Sequence, residues 1–165
     1  MSINFLRHYI DLSKLLQNQI LTAKLVKFCD KDRISWELIE ELAQLIDFAA
    51  MSKDPETPEY FLHNHSRHFD FRSVINSGKL LSIDFIRSHP TALQHCWDLL
   101  SARFPFSEVE MAEFESMLNW NVASRYQKMN ENFIARYKHK VDWDLINQYQ
   151  NVSKKFILEN KPSTE

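Results

Sequence analysis

Five histidines fall within 33 residues: His63, His65 and His68 inside the string His63-Asn64-His65-Ser66-Arg67-His68, then His89 and His95. Neutral imidazoles are common ligands of zinc and other transition metals, so a metal-dependent hydrolase is the first chemistry to weigh. The spacing argues against it. On a helix His63 and His65 point away from each other, and the chain has neither an H-E-x-x-H helix nor a Cys/His clip. Asp70 and Asp98, which would have to complete a site, are better placed as a helix cap and a first-turn acid. Cys29 and the serines near these histidines lack elbow glycines, and one glycine in the whole chain leaves no glycine-rich phosphate loop. No catalytic residue, metal or cofactor is assigned, and the chain is read as a non-enzyme.

The elements that carry these residues show themselves through a recurring phrase. Asp142-Trp143-Asp144-Leu145-Ile146, then Val152-Ser153-Lys154-Lys155-Phe156-Ile157, echoes Asn119-Trp120-Asn121-Val122-Ala123, then Met129-Asn130-Glu131-Asn132-Phe133-Ile134, at a step of 23 residues. Self-similarity at such a period marks a repeat array in which each unit buries its apolar face on the next. Moving back brings Trp97, then Asp70-Phe71 with a slip of about one residue near Gly78, then Ser35-Trp36, and faintly Asp11-Leu12. The anchors are Leu12, Trp36, Phe71, Trp97, Trp120 and Trp143, in units near 11–30, 34–50, 70–88, 96–115, 119–137 and 142–160. The long interval between Trp36 and Phe71 is read as an insertion over 51–69. Pro55 and Pro58 among polar residues predict a loop there, or a loop with a short extra helix.

Each unit predicts two helices. An apolar residue follows the anchor at three positions on, the spacing of one helix face. Asp11, Ser35, Asp70, Asn119 and Asp142 precede their anchors as N-caps, while Cys96 takes that place before Trp97. About ten residues later come Thr22, Ser82, Ser107, Asn130 or Ser153, followed by apolar pairs such as Phe85-Ile86, Phe133-Ile134 and Phe156-Ile157. Ser107-Glu108-Val109-Glu110 has the form of a capping box. Helices of two or three turns are marginal alone, so stacking must stabilise them. With few turn glycines and little alternation, the sequence reads as all-α: a right-handed-type α-solenoid of about five to six short helix-pair repeats, period 23–26, in one domain over 1–165.

At 44% apolar, with 12 Phe, 4 Trp and 5 Tyr, the chain can fill a continuous core. A formal charge of −2 supplies no general pull toward nucleic acid or membrane. Locally, Arg125, Lys128, Arg136, Lys138 and Lys140 form a basic stretch; Glu37, Glu40, Glu41 and Asp47, and Glu108, Glu110, Glu113 and Glu115, form acidic ones. Cys29 and Cys96 are read as reduced thiols. The N-terminal residues make neither a signal peptide nor a spanning helix, so a cytoplasmic location is expected.

The phrase from Val141 to Ile157 resembles helical repeats of the form D-W-x-x-I-S-x-x-Q-x-L-S-x-x-F-I, associated with uncharacterised proteins of bacteriophages and large DNA viruses. The likeness is close over 118–160, fair over 70–117 and faint before that. Ala123 for Ile, Glu110 for Phe and Leu12 for Trp depart from it. The resemblance implies a repeat fold and a viral setting in the host cytoplasm, and carries no catalytic residue. By analogy, small viral proteins of this kind block a host enzyme or a defence complex, CRISPR effectors among them.

In such an array anchors face inward, and recognition falls to outward rows and insertions. The insertion, with Tyr60, Phe61, His63, His65, Arg67 and His68, is the expected partner surface, joined by Arg125 and Lys128 from the basic stretch. Leu12, Trp36, Phe71, Trp97, Trp120, Trp143, Phe85, Phe133 and Phe156 are assigned to the core. The leading expectation is a protein-protein interaction module, with homo-oligomers compatible with it and no membrane partner. A nucleic-acid-binding solenoid and a histidine-based hydrolase are the alternatives. Truncating Trp143 to Ala is expected to cost about 3–5 kcal/mol in urea denaturation, as for other buried tryptophans; a variant of undiminished stability would place that ring outside the core.

Overall fold

A computed structural model describes residues 47–162. Leu12, Trp36, Cys29 and the acidic residues Glu37, Glu40 and Glu41 lie outside the described residues. Within them the chain is all-helical, with ten α-helices, one 3-10 turn and no strand. The helices are α1 (Phe48–Met51), α2 (Glu59–Asn64), α3 (Phe71–Asn76), α4 (Ile83–Ser88), α5 (Trp97–Arg103), α6 (Glu108–Glu113), α7 (Trp120–Tyr126), α8 (Glu131–Arg136), α9 (Trp143–Tyr149) and α10 (Lys154–Asn160), and the 3-10 turn spans Ser66–His68. The chain divides into two compact units, Met1–Leu93 and Gln94–Glu165.

In the second unit three helix pairs repeat, and α7 packs against both α5 and α9. Trp97, Trp120 and Trp143 are all buried, as are Met111, Phe133, Ile134 and Phe156 on the second helices. Each first helix after α5 starts on a side-chain cap: Asn119 accepts from the Val122 amide, and Asp142 from those of Asp144 and Leu145. Second helices start on Ser107, Asn130 and Ser153, each accepting from the amide three residues on. Cys96 heads α5 without a side-chain cap bond and is buried, outside any disulfide.

Short helices expose a large share of unsatisfied amides and carbonyls, and three hydrogen-bond patterns between successive copies satisfy them. In the first, the Asn119 amide donates to Ser101 Oγ and the Asp142 amide to Ser124 Oγ, both at 3.0 Å. In the second, Gln127 Nε2 donates to the carbonyls of Ser101 (2.7 Å) and Phe104 (2.8 Å) while its Oε1 accepts from the Phe106 amide. Gln150 repeats this with the carbonyls of Ser124 and Gln127 and the Met129 amide. In the third, the glutamate that opens one second helix accepts from the cap residue of the next: Glu108 from the Asn130 amide and Nδ2, Glu131 from the Ser153 amide.

The first unit uses the same parts. Ser52 Oγ accepts from the Asp70 amide at 3.1 Å, as Ser101 and Ser124 do for Asn119 and Asp142. Glu59 accepts from the Ser82 amide and hydroxyl, as Glu108 and Glu131 do for their partners. Asp47 caps α1 and Asp70 caps α3, exactly one 23-residue step apart.

These bonds correct the expected insertion over 51–69. That segment is a repeat copy in register, with Asp47-Phe48 as cap and anchor, Pro58 in the second cap position, and Phe61-Leu62 as the apolar pair equivalent to Phe85-Ile86. Phe48 packs on Phe61 at 6.2 Å between centroids, as Trp120 does on Phe133 and Trp143 on Phe156. The prolines fit two outcomes because proline suits the start of a helix as well as a loop: its ring fixes φ near the −64° that Pro58 adopts at the cap.

The one long step, Phe71 to Trp97, is 26 residues. One extra residue falls between α3 and α4, where Gly78 adopts φ +90, a conformation that other residues rarely take. Glu110, which replaces the phenylalanine of other copies, turns back to accept from the Ser107 amide and hydroxyl, completing the capping box. Phe106 and Phe114 pack against Trp97 in its stead, at 6.3 and 5.2 Å.

Gln127 is 5% exposed and bonds three backbone groups. Gln127→Ala is expected to lower the unfolding free energy by on the order of 2–3 kcal/mol, the cost of stranding buried polar groups. Gln150→Ala, at a half-buried position, should cost less; equal and negligible losses in urea titrations would show that the braces do not stabilise the array.

Candidate functional site

The structure redistributes the histidines. His65 and His89 close α2 and α4, in the positions that Phe114 and Tyr137 take after α6 and α8. Their rings do the same work. His65 lies 4.5 Å from Phe61 and His89 4.2 Å from Phe85, as Tyr137 lies 4.7 Å from Phe133. His89 Nδ1 also sits 3.0 Å from the Phe85 carbonyl and 2.9 Å from Ser88 Oγ. His68 stacks on Phe48 at 4.8 Å, and its Nε2 accepts from Arg67 Nε. His63 is exposed, edge-on to His89 at 4.6 Å. Among the described residues no three of His, Cys, Asp and Glu gather in a way that could hold a metal ion.

The expected partner residues on the former insertion therefore divide. Phe61 is 0% exposed and His65 is buried, so both belong to the packing of their repeat and present no contact surface. Tyr60 is half-buried, while His63, Arg67 and His68 are exposed. A phenylalanine that looks like bait in an irregular loop becomes core once the loop is a repeat.

The acidic and basic runs are also largely engaged within the fold. Glu115 pairs with Lys140 at 2.8 Å, and Lys140 Nζ lies over the Trp120 ring. Arg136 lies over Tyr137. Asp144 pairs with Lys161, and Lys155 with Glu159. Lys140 beside Glu115 lowers that carboxyl below its usual range; the bonds from Ser153 lower Glu131, and the Ser73 hydroxyl, bound at 2.7 Å, lowers Asp70.

What remains is a cluster on the second unit. Tyr126 ends α7 and Tyr149 ends α9, one 23-residue step apart, and they are 55% and 43% exposed. The Arg125 guanidinium lies over both rings, 5.1 Å from the centroid of Tyr126 and 4.8 Å from that of Tyr149. Lys128, just beyond α7, is exposed. Neither Arg125 nor Lys128 pairs with a carboxylate among the described residues, and neither phenol is hydrogen-bonded there. The Trp120 and Trp143 anchors hold α7 and α9 side by side, each indole donating to a carbonyl, of Glu115 and of Lys138, at 2.9 Å. Two exposed aromatics joined by an arginine are therefore fixed by the repeat itself.

Arg125 and Lys128 were singled out from sequence; Tyr126 and Tyr149 were not. Their signal was present in the row six residues after the anchors, which reads Arg103, Tyr126 and Tyr149. Tyrosine and arginine are enriched among residues that dominate binding energy, and stacked aromatics cost little entropy to order. Nothing in the cluster supplies a nucleophile paired with a base. No protein-family model, curated protein or solved structure matches this chain.

The lowered carboxyls carry a stability signature. Asp70, Glu115 and Glu131 bind protons less readily in the folded chain than in the unfolded one, so their contribution is present above the ordinary carboxylate range and is lost as pH falls through the lower folded values. Thermal midpoints should drop steadily below about pH 4, and Glu131→Gln should flatten that slope. An unchanged slope in the variant would mean that the bond to Ser153 does not distinguish folded from unfolded chain.

Proposed function

We propose that this chain is a non-catalytic protein-binding scaffold, an α-solenoid that carries recognition on its outward side chains. The observation that carries the reading is the Tyr126–Arg125–Tyr149 cluster, in which two exposed aromatics of the described residues are joined by an arginine. The anchors Trp97, Trp120 and Trp143 recur from copy to copy in the second unit, whereas the row five residues on reads Ala102, Arg125 and Gln148. Binding proteins built from repeats separate scaffold and recognition in this way.

The engaged state of the charges supports a protein partner over nucleic acid. Of the basic stretch, Lys140 is paired with Glu115, which removes one cation from the several phosphate contacts that affinity for nucleic acid requires. Residues His65 and His89 as packing rings remove the main support for a hydrolase. In the viral setting that the repeat phrase implies, the partner is a host complex, a defence complex among the candidates. Among the described residues no helix is long and apolar enough to cross a membrane.

The test is affinity capture from bacterial lysate with the full chain, in low and high salt, beside a Tyr126→Ala/Tyr149→Ala double variant. The expected result is a stoichiometric, salt-resistant protein complex that the double variant loses, with a thermal stability change within about 0.5 kcal/mol, as for other surface substitutions. Capture that ignores both tyrosines, or nucleic acid that washes away with salt, would overturn the reading.

A further inference from the structure

We propose that Arg125, held between Tyr126 and Tyr149, receives a carboxylate side chain from an acidic, extended segment of the partner protein. The inference rests on the reading of this cluster as the partner-binding surface and adds the chemistry of what binds there. It begins from the charges of the second unit. Glu108 and Glu131 are taken by cap residues of the next copy, Glu110 by Ser107, Glu115 by Lys140, Asp144 by Lys161 and Glu159 by Lys155. Arg125 and Lys128 have no such counterpart among the described residues, so the surface around α7 keeps uncompensated positive charge beside two exposed rings.

An arginine in the last turn of a helix often serves the free carbonyls there. That role is already filled at α7, where Gln150 Nε2 donates to the carbonyls of Ser124 and Gln127. Arg125 is instead positioned by rings. A guanidinium lying over aromatic faces keeps its edge N–H groups for a second partner, and the planar fork matches a carboxylate in two parallel hydrogen bonds. The phenols of Tyr126 and Tyr149 are further donors in the cluster, and exposed Lys128, just beyond α7, adds a second positive charge.

The same geometry disfavours bases as the occupant. Single-stranded nucleic acid binds by stacking bases on open aromatic faces along a groove of many cations. Here Arg125 already covers a face of each tyrosine, and two cations make a short patch. An acidic peptide needs only one carboxylate at the guanidinium and apolar atoms against the ring edges.

The experiment titrates the full chain with three probes: an octapeptide of alternating glutamate and leucine, its glutamine counterpart, and an eight-residue oligothymidylate. The Nε–Hε signal of Arg125 and the ring signals of the two tyrosines are followed by NMR. The glutamate peptide is expected to move all three and to bind about tenfold more tightly than the glutamine peptide, a difference of one charge-assisted pair. Arg125→Gln should erase that preference without changing the thermal midpoint, since the side chain is exposed. Equal affinity for the two peptides, or tighter binding of the oligothymidylate, overturns the proposal. If the glutamate peptide shows no preference while the tyrosine-dependent capture persists, the carboxylate is removed and the interaction surface stands. If capture is also indifferent to the tyrosines, both fall.

Discussion

Every helix among the described residues is too short to satisfy its own backbone. A helix of six or seven residues makes only a few internal hydrogen bonds and leaves most of its amides and carbonyls open. The chain meets this constraint by lending side chains forward and back by one repeat. Ser101, Ser124 and Ser52 take the amide of the next first-helix cap; Gln127 and Gln150 take the carbonyls that end the preceding first helix; Glu59, Glu108 and Glu131 take the amide of the next second-helix cap. No single copy is a complete structure, and the 23-residue period is the spacing at which these loans are returned.

Once that register governs the fold, the meaning of a residue follows from its slot more than from its type. A histidine that ends a second helix is a packing ring, because in the next copies phenylalanine and tyrosine do the same. A glutamate at the start of a second helix is a cap acceptor before it is a surface charge. Departures are absorbed nearby: Glu110 cannot pack, so it completes a capping box while Phe106 and Phe114 close on Trp97. The three extra residues of the long step lie in connections, one of them at the glycine that takes a positive φ.

The constraint also marks what is left for function. Side chains that brace, cap or fill the core are committed, and they account for most of the charged and aromatic residues of the second unit. Arg125, Tyr126, Tyr149 and Lys128 carry no such duty toward the backbone, yet three of them are ordered against one another. Pre-ordered rings and a pre-oriented guanidinium reduce what an incoming partner must freeze. That argument rests on the inventory of commitments, which is why it needed the hydrogen bonds as well as the exposures.

Much of this was written locally in the chain. Caps before Trp120, Trp143, Phe85 and Phe133, the box at Ser107 and the all-helical class depend on neighbours within four residues, and such signals survive in one dimension. The assignment of Phe71, Trp97, Trp120 and Trp143 to the interior also follows from period alone, and these rings are buried. The copy over 47–69 was hidden although Asp47-Phe48 has the form of Asp70-Phe71, because its second cap is a proline among polar residues, the usual mark of a loop. The bonds from the Asp70 amide to Ser52 and from the Ser82 amide to Glu59 place it in register. The cluster at Tyr126 and Tyr149 was equally hidden: sequence shows two tyrosines one period apart, but whether that row faces solvent or core depends on how α7 and α9 lie together. The sequence by itself determined helix starts, helix class and period, since these are set by short-range hydrogen bonding and side-chain spacing. Tertiary structure decided which aromatics are buried and which stay exposed, since burial is a property of packed neighbours and not of residue type.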